Sequence, residues 1–173
     1  MTLFDHRHLN LPAAIIAGGA AGIISGFVKL GWENVLPPRT AKRDAVNPPE
    51  TLMKQVGIPD SILNASYHYS GHEIPWAGFV IHFGFSTTFA VLYQILGEKV
   101  PAIKKDAGTW FGLATWVAFH LGIMPAMGTV PTAKEQPKDE HISEALGHIV
   151  WMVTNDLVGT DVYRRLTQQS HRH

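Results

Sequence analysis

The stretch 74-IPWAGFVIHFGFSTTFAVLYQILG-97 has 24 residues and contains no charged side chain. A helix needs about 20 mostly apolar residues to cross a lipid bilayer, so this stretch is long enough to cross one alone. A second charge-free stretch, 107-AGTWFGLATWVAFHLGIMPAMGTVP-131, meets the same requirement. The presence of both stretches in one short chain indicates a protein embedded in a membrane.

Two further segments extend this pattern. The stretch 13-AAIIAGGAAGIISGFV-28 is also charge-free, and it is long enough to span if its helix continues through Lys29 to about Val35. A fourth segment, 142–163, is the weakest because five polar or ionisable residues interrupt it: Glu144, His148, Asn155, Asp156 and Asp161. We predict an all-α integral membrane protein, a four-helix bundle whose helices lie at about 13–35, 75–97, 107–128 and 141–163.

The composition of the whole chain supports this prediction. Charged residues make up 16% of the 173 residues, against about 25% in ordinary soluble domains. A soluble all-α protein would need a core that covers three charge-free helices, and the remaining sequence is too short for that. We expect one membrane domain comprising residues 1–173, since this length is typical of a single domain.

Charge and cysteine content exclude several classes of function. The 14 basic and 14 acidic residues give no net charge, so the chain lacks the basic surface that nucleic-acid binding requires. The absence of cysteine excludes disulfides and thiolate metal sites. The absence of an HExxH motif argues against a zincin-type hydrolase. The sequence does not decide whether the protein is an enzyme.

The distribution of basic residues predicts the orientation in the membrane. Four membrane helices place both termini on one side, together with the short loop 98–106. Most basic residues near helix ends lie on that side, and they are Arg7, Lys99, Lys104, Lys105, Arg164, Arg165 and Arg172. Basic residues are enriched in cytoplasmic loops, so we predict that both termini are cytoplasmic.

The opposite side holds a long outer segment, 36–74. Within it, 47-NPPE-50 and 59-PDS-61 are typical helix starts, so we expect two short helices on or near the membrane surface. His68 and His72 are separated by a Ser-Gly pair, a poor helical sequence. We expect these two histidines to be solvated or interfacial, and a surface metal site is the alternative.

The first helix carries Gly18, Gly22 and Gly26 at intervals of four residues. Small residues at this spacing let two transmembrane helices approach closely, so we interpret them as a packing surface that also permits a homo-oligomer. Lys29 and Glu33 continue the same stripe. We expect these two side chains to pair with each other and to face protein rather than lipid.

All four predicted helices place ionisable side chains at one depth. At 1.5 Å per residue, the histidines lie about 9–12 Å below the outer boundary, and the glutamates lie somewhat shallower. This polar layer consists of Glu33, His82, His120, Glu144 and His148. Ionisable groups are costly in hydrocarbon, so they usually face the interior of a bundle and often mark a functional site.

Three functions fit this layer, and a structural interpretation competes with them. Carboxylates and imidazoles are suitable ligands for zinc, iron or manganese, and Glu144 and His148 are one helical turn apart. Histidines from two helices are also able to ligate a haem iron. Coupled imidazoles and carboxylates alternatively suit a proton-responsive protein of pH or acid-stress homeostasis without a metal. In the fourth interpretation, the layer only fixes the packing of a structural or assembly protein.

Two motifs resemble those of a known family. The junction 33-ENVLPPR-39 and the segment 143-SEALGHIVW-151 are similar to motifs of the YagU-like proteins, small bacterial inner-membrane proteins with a domain of unknown function. The stretch 124-MPAMGTVP-131 fits as well. The resemblance implies a four-helix protein of the bacterial cytoplasmic membrane, and it implies no activity.

The same resemblance adds Arg39 to the candidate site, where it would cap the polar layer or pair with Glu144. Our leading hypothesis is a transition-metal site near the outer leaflet, in a stress or redox setting. Its predicted ligands are Glu33, His82, His120, Glu144 and His148. Its predicted surrounding residues are Lys29, Arg39 and Trp151.

Overall fold

The computed structural model describes residues 9–40 and 48–170, and that part of the chain is mostly helical. Its elements in chain order are α1 (Leu11–Val35), α2 (Pro48–Gln55), α3 (Asp60–Leu63), β1 (Ser66–Tyr69), β2 (His72–Pro75), α4 (Ala77–Lys99), α5 (Thr109–Trp116), α6 (Met124–Ala126) and α7 (Lys138–Ser170). Tight 3-10 turns at Pro101–Gly108 join α4 to α5, and a π-helical segment, Val117–Ile123, joins α5 to α6. Arg7, Asn47 and Arg172, used in the predictions above, lie outside the described residues.

Three helical stretches of the described chain are long and apolar enough to cross a membrane: Leu11–Val35, Ala77–Lys99 and Pro101–Ala126. They coincide with the first three predicted membrane helices. Large apolar side chains on their outer faces are exposed, including Ile16, Phe27 and Val80. So much exposed apolar surface is unfavourable in water and suits contact with lipid.

Local sequence explains the bounds of α1. The Asn10 side chain accepts a hydrogen bond from the backbone N–H of Ala13 at 3.1 Å, which caps the amino end of the helix. Pro12 lies in the first turn, where backbone N–H groups have no acceptor within the helix. The N–H that proline lacks is therefore not missed, and proline favours the start of the helix. The helix ends at Val35, just before the Pro37-Pro38 pair, because proline disfavours helical backbone at the residue that precedes it.

Helix α1 packs along α4 on one side and along α7 on the other. Its glycines face α4, since a methyl group on Gly22 would lie 2.4 Å from Thr87 Cα, and one on Gly18 would lie 2.5 Å from Val91 Cα. The predicted packing role of the stripe is therefore confirmed, within one chain. Helix α4 of the same chain covers the surface of Gly18, Gly22 and Gly26, and the homo-oligomer through these residues stays a prediction.

Helix α5 packs against α7 instead of α4. A methyl group on Gly112 of α5 would lie 2.6 Å from the carbonyl oxygen of His148 on α7. In the described part of the chain, α4 makes little contact with α5 or the π-helical segment apart from aromatic rings. The ring of Phe119 meets those of Phe85 and Phe89 edge to face, at centroid distances of 5.2 and 5.5 Å. The two helical stretches therefore flank a gap rather than a packed interface.

The outer segment contains a β-hairpin that the sequence analysis did not predict. Strands β1 and β2 pair antiparallel, with His68 opposite Glu73 and Tyr69 opposite His72. Ser70 and Gly71 have φ values of 51° and 78°, as in the two-residue turns that suit hairpins. Because strand β1 begins at Ser66, the second predicted short helix is limited to α3 at Asp60–Leu63. His68 and His72 are exposed, as predicted.

Candidate metal centre

His120, Glu144 and His148 meet at one point in the fold, where one potential ligand atom from each lies within 4.8 Å of the others. We call these three residues the cluster. Glu144 and His148 are one turn apart on α7, and His120 belongs to the π-helical segment. Glu144 Oε2 lies 3.8 Å from His120 Nε2 and 3.7 Å from His148 Nδ1. Glu144 and His148 are buried, and His120 is half-buried.

The π-helical segment sets the position of His120. Pro125 lies two residues beyond this segment and has no N–H to donate to the carbonyl of Leu121, so a regular α-helix is disfavoured there. A π-turn accommodates an extra residue and changes the direction in which neighbouring side chains point. It places Phe119 towards α4 and His120 beside α7.

The carboxylate of Glu144 lies at the centre of the cluster. Its Oε2 atom is buried and has no hydrogen-bond donor among the described residues. Lys29 Nζ lies 3.8 Å from Oε2, and Arg39 Nη1 lies 4.0 Å from Oε1. Both distances exceed that of a hydrogen bond, so the cations lower the cost of burying the charge without satisfying the oxygen.

His148 is held in one orientation. Its Nδ1 lies 2.8 Å from the backbone carbonyl oxygen of Glu144, so in the neutral ring Nδ1–H donates and Nε2 carries the lone pair. Metal-binding histidines commonly donate their other N–H to such a carbonyl. The ring of Trp151 packs edge to face against the imidazole at 5.9 Å, and its Nε1 donates to Ser86 Oγ at 2.8 Å. Trp151 is thus placed next to the cluster, as expected.

Two predicted ligands lie near the cluster without joining it. Glu33 pairs with Lys29 on the same face of α1, so the predicted pairing is confirmed. His82 Nε2 lies 3.0 Å from the carbonyl oxygen of Gly26 and donates to it across the α1–α4 interface. Both residues line the cavity beside the cluster, but neither belongs to the group of mutually close ligand atoms.

Several supporting residues escaped the sequence analysis. The hydroxyl of Ser86 donates to the carbonyl oxygen of Gly22 at 2.7 Å while accepting from Trp151. The sequence signal for Ser86 was its position four residues after His82, which places both side chains on the same helical face. Glu140 is buried at the start of α7 and accepts from the backbone N–H of Thr40 at 3.0 Å. This bond ties the chain beyond α1 to α7.

The two motifs that carry the family resemblance pack against each other. Ser143 Oγ donates to the carbonyl oxygen of Leu36 at 2.8 Å. Trp32 Nε1 donates to the carbonyl oxygen of Ser143 at 3.4 Å, and a methyl group on Gly147 would lie 3.1 Å from the Trp32 ring. The end of α1 thereby fixes the first turns of α7, which hold Glu144 and His148.

A cavity of about 690 Å³ adjoins the cluster and is lined by residues of α1, α2, α4, the π-helical segment and α7. Its lining includes the ionisable side chains Lys29, Glu33, Arg39, Glu50, His82, His120, Glu144 and His148. The rest of the lining consists mainly of phenylalanine and other apolar side chains. The cavity thus combines ionisable groups with apolar surface.

A haem with two histidine ligands does not fit the cluster. The imidazoles of His120 and His148 contact each other edge to face, with ring centroids 5.0 Å apart and an interplanar angle of 81°. Axial ligands lie on opposite faces of a porphyrin, which must separate the two rings. The arrangement leaves no room for the macrocycle between them.

Comparisons with known proteins give the relatives of this chain. A family model described as "Protein of unknown function (DUF1440)" matches residues 23–157. The chain is 32% identical to "Inner membrane protein YagU" of Escherichia coli (strain K12) over 189 residues, which cover 95% of this chain and 90% of that protein. No solved structure matches the chain. The matched family region contains the whole cluster and both motifs.

Proposed function

Because this chain belongs to the family of YagU-like inner membrane proteins, we propose that its cluster of His120, Glu144 and His148 binds one transition-metal ion between the helices. The resemblance inferred from the motifs is confirmed, and so is the membrane character of the chain. The family description carries no activity, so the proposal rests on the geometry of the site.

The observation that carries the proposal is the buried Oε2 atom of Glu144, which has no hydrogen-bond donor within residues 9–40 and 48–170 and lies near two imidazoles. A buried charged oxygen without a donor is costly, and a bound cation would compensate it. Ligand atoms at about 2.1 Å from one ion lie about 3.4 Å apart in tetrahedral geometry. The 3.8 Å between Glu144 Oε2 and His120 Nε2 requires only a small rotation to reach that value.

Two histidines and one carboxylate suit zinc, manganese or iron, and with open positions they are typical of non-haem iron(II). Three protein ligands leave coordination positions on the side of the cavity, as in catalytic rather than structural sites. Glu33 and His82 would then support the site without binding the ion. Lys29 and Arg39 would balance its charge.

The same proposal includes a membrane arrangement. Helix α7 is longer than expected and less apolar than the other three stretches. Because it packs along α1 and α5, we propose that it nevertheless crosses the membrane together with them. This makes the chain one membrane domain, a four-helix bundle with cytoplasmic termini. The basic residues at the ends of α4 and α7 support this orientation.

The decisive experiment is elemental analysis of detergent-purified protein prepared without a metal-affinity tag, after incubation with iron(II), zinc or manganese. We expect about one equivalent of metal, and a loss of more than tenfold in His120→Ala, Glu144→Gln and His148→Ala. His72→Ala, on the exposed hairpin, is the matched control and should keep its metal. A folded wild-type protein that takes up none of the three ions would overturn the proposal and favour the proton-responsive alternative.

A further inference from the structure

We propose that the cavity beside the cluster binds a long-chain carboxylate, which enters from the membrane through the gap between α4 and the π-helical segment. The carboxylate head would lie at the cluster, and the chain would lie along the apolar lining. This inference rests on the proposed metal site, because the head group would take the open side of the bound ion.

The lining of the cavity suits a ligand with two unlike ends. Its volume of about 690 Å³ falls within the range of about 300–1,000 Å³ that is typical of small-molecule pockets. Its apolar lining includes Phe79, Val80, Phe85, Phe89 and Phe119. An alkyl chain suits these rings, whereas a wholly polar ligand would leave them facing water.

The route of entry follows from the helices that flank the gap. Helix α4 and the π-helical segment both belong to stretches that are apolar enough to cross a membrane. Phe79 and Val80, which line the cavity, are nevertheless 50% and 59% exposed. The apolar wall therefore continues onto the surface that faces lipid, and a lipid-soluble ligand can enter sideways.

The charge of the cavity lining selects the head group. The charged side chains that line the cavity are Lys29, Arg39, Glu33, Glu50 and Glu144, two cations and three carboxylates, so their net charge is −1. A divalent ion on neutral histidines changes this to +1, and one carboxylate neutralises it. The metal-free cavity, by contrast, repels an anion. Binding of the ligand should therefore require the metal.

The test uses 9,10-dibromostearate as the probe, because bromine quenches tryptophan fluorescence and Trp151 lines the cavity. With zinc-loaded protein in nanodiscs, we expect saturable quenching that oleate reverses at least ten times more effectively than oleyl alcohol does. Lysophosphatidate, which has a phosphate head, tests whether the site prefers a carboxylate or a phosphate. It should compete less well than oleate, because its head carries more charge than the site neutralises. Quenching that does not saturate, or equal competition by the alcohol, would overturn the inference.

A matched pair of variants locates the binding. Gly84 lines the cavity, and a methyl group there would meet nothing within 4 Å, so Gly84→Leu should fold and fill the cavity. Gly31 has equal space but lies outside the cavity, so Gly31→Leu is the control. We expect at least tenfold weaker binding of the probe in Gly84→Leu, or in Thr88→Trp at a second lining position, and no change in Gly31→Leu. Unchanged binding in both cavity variants would contradict the assignment.

Metal content measured on the same samples separates this inference from the proposed function. Bound metal without saturable quenching would support the metal site and would contradict the binding of a long-chain carboxylate. Equal binding of the probe by wild type and by metal-free His148→Ala would show that the head group does not bind the metal ion. Failure of the wild type to take up metal would instead count against the proposed function itself.

Discussion

At the scale of single residues, the fold gives two similar histidines different positions. His148 and His82 each donate one ring N–H to a backbone carbonyl, that of Glu144 for the first and that of Gly26 for the second. Among the described residues, His148 also lies beside the imidazole of His120 and the buried carboxylate of Glu144, whereas His82 does not belong to this group. His82 therefore holds α1 and α4 together, while His148 contributes a potential ligand.

This difference predicts the behaviour of His82→Ala. The variant should retain its metal, because His82 lies outside the cluster. It should lose about 1 kcal/mol of stability, since it removes one interhelical hydrogen bond and leaves the carbonyl of Gly26 with fewer partners. Elemental analysis and a denaturation curve in detergent would measure both effects. Loss of metal without loss of structure would show that His82 is a ligand and would favour the original five-residue site.

The level of the histidines along their helices followed from the sequence, but the direction in which each imidazole ring points did not. Counting residues from the ends of the charge-free stretches placed the histidines at one level, and the four-residue interval put Glu144 and His148 on one face of a helix. The direction in which each ring points depends on how the helices pack. Gly22 and Gly26 bring α1 so close to α4 that His82 meets a backbone carbonyl of α1.

At the scale of helices, the α1–α4 interface depends on residues without side chains. Gly22→Ala should destabilise the protein by about 1–3 kcal/mol, because the new methyl group would overlap the backbone at Thr87 and force the helices apart. Their separation would also weaken the bond from Ser86 Oγ to the carbonyl of Gly22. Unfolding in mixed detergent micelles would measure the loss.

Gly19→Ala provides the control in the same helix. A methyl group on Gly19 would meet nothing within 4 Å, so this variant should be neutral or gain up to about 1 kcal/mol from helix propensity. Equal losses in the Gly19 and Gly22 variants would show that the close approach of α4 at Gly22 does not explain the effect.

The predicted helices 13–35 and 75–97 agree with α1 and α4 to within two residues at each end, and the predicted helix 107–128 agrees as well with the stretch from the start of α5 at Thr109 to the end of α6 at Ala126. This accuracy has a physical origin, since lipid offers backbone groups no hydrogen bonds and leaves few alternatives to a helix. Outside the lipid this constraint is absent, and there the hairpin at 66–75 escaped prediction. The π-helical segment also escaped, because its extra residue does not change the apolar character of the stretch.

At the scale of the whole molecule, the proposed orientation makes a prediction about access from either side. The chain has no cysteine, so each introduced cysteine is unique. In intact spheroplasts, a membrane-impermeant maleimide should label Lys134→Cys, between α6 and α7, and should not label Lys105→Cys, between α4 and α5. Gln168→Cys near the end of α7 should also be protected, because α7 returns the chain to the cytoplasm. All three positions are exposed on the protein surface.

Detergent permeabilisation supplies the control, since it should make all three cysteines reactive. Labelling of Lys105→Cys alone in intact spheroplasts would reverse the orientation. Labelling of Gln168→Cys together with Lys134→Cys would show that α7 stays on one side, and it would contradict the four-helix arrangement.

The cavity was beyond prediction for a reason that belongs to the molecule as a whole. A sequence indicates which residues avoid water, and it does not indicate where packed helices leave a space. Here α5 packs along α7 rather than α4, and in the described part of the chain a few aromatic rings, including Tyr93 against Phe111 and Phe85 against Phe119, connect α4 with the stretch that contains α5. The polar layer was predictable, whereas the cavity beside it required the structure.

The order of the helices along the chain has a consequence for biosynthesis. Glu144 and His148 are synthesised after the three helical stretches that are apolar enough to cross a membrane. Helix α7 is less apolar, so in the proposed four-helix arrangement its insertion would depend on helices that are already in place. A nascent or truncated chain that ends before Glu144 has the membrane anchor but only one residue of the cluster. At the proposed metal site, loading could therefore begin only after α7 has been made and has packed against the helices that precede it.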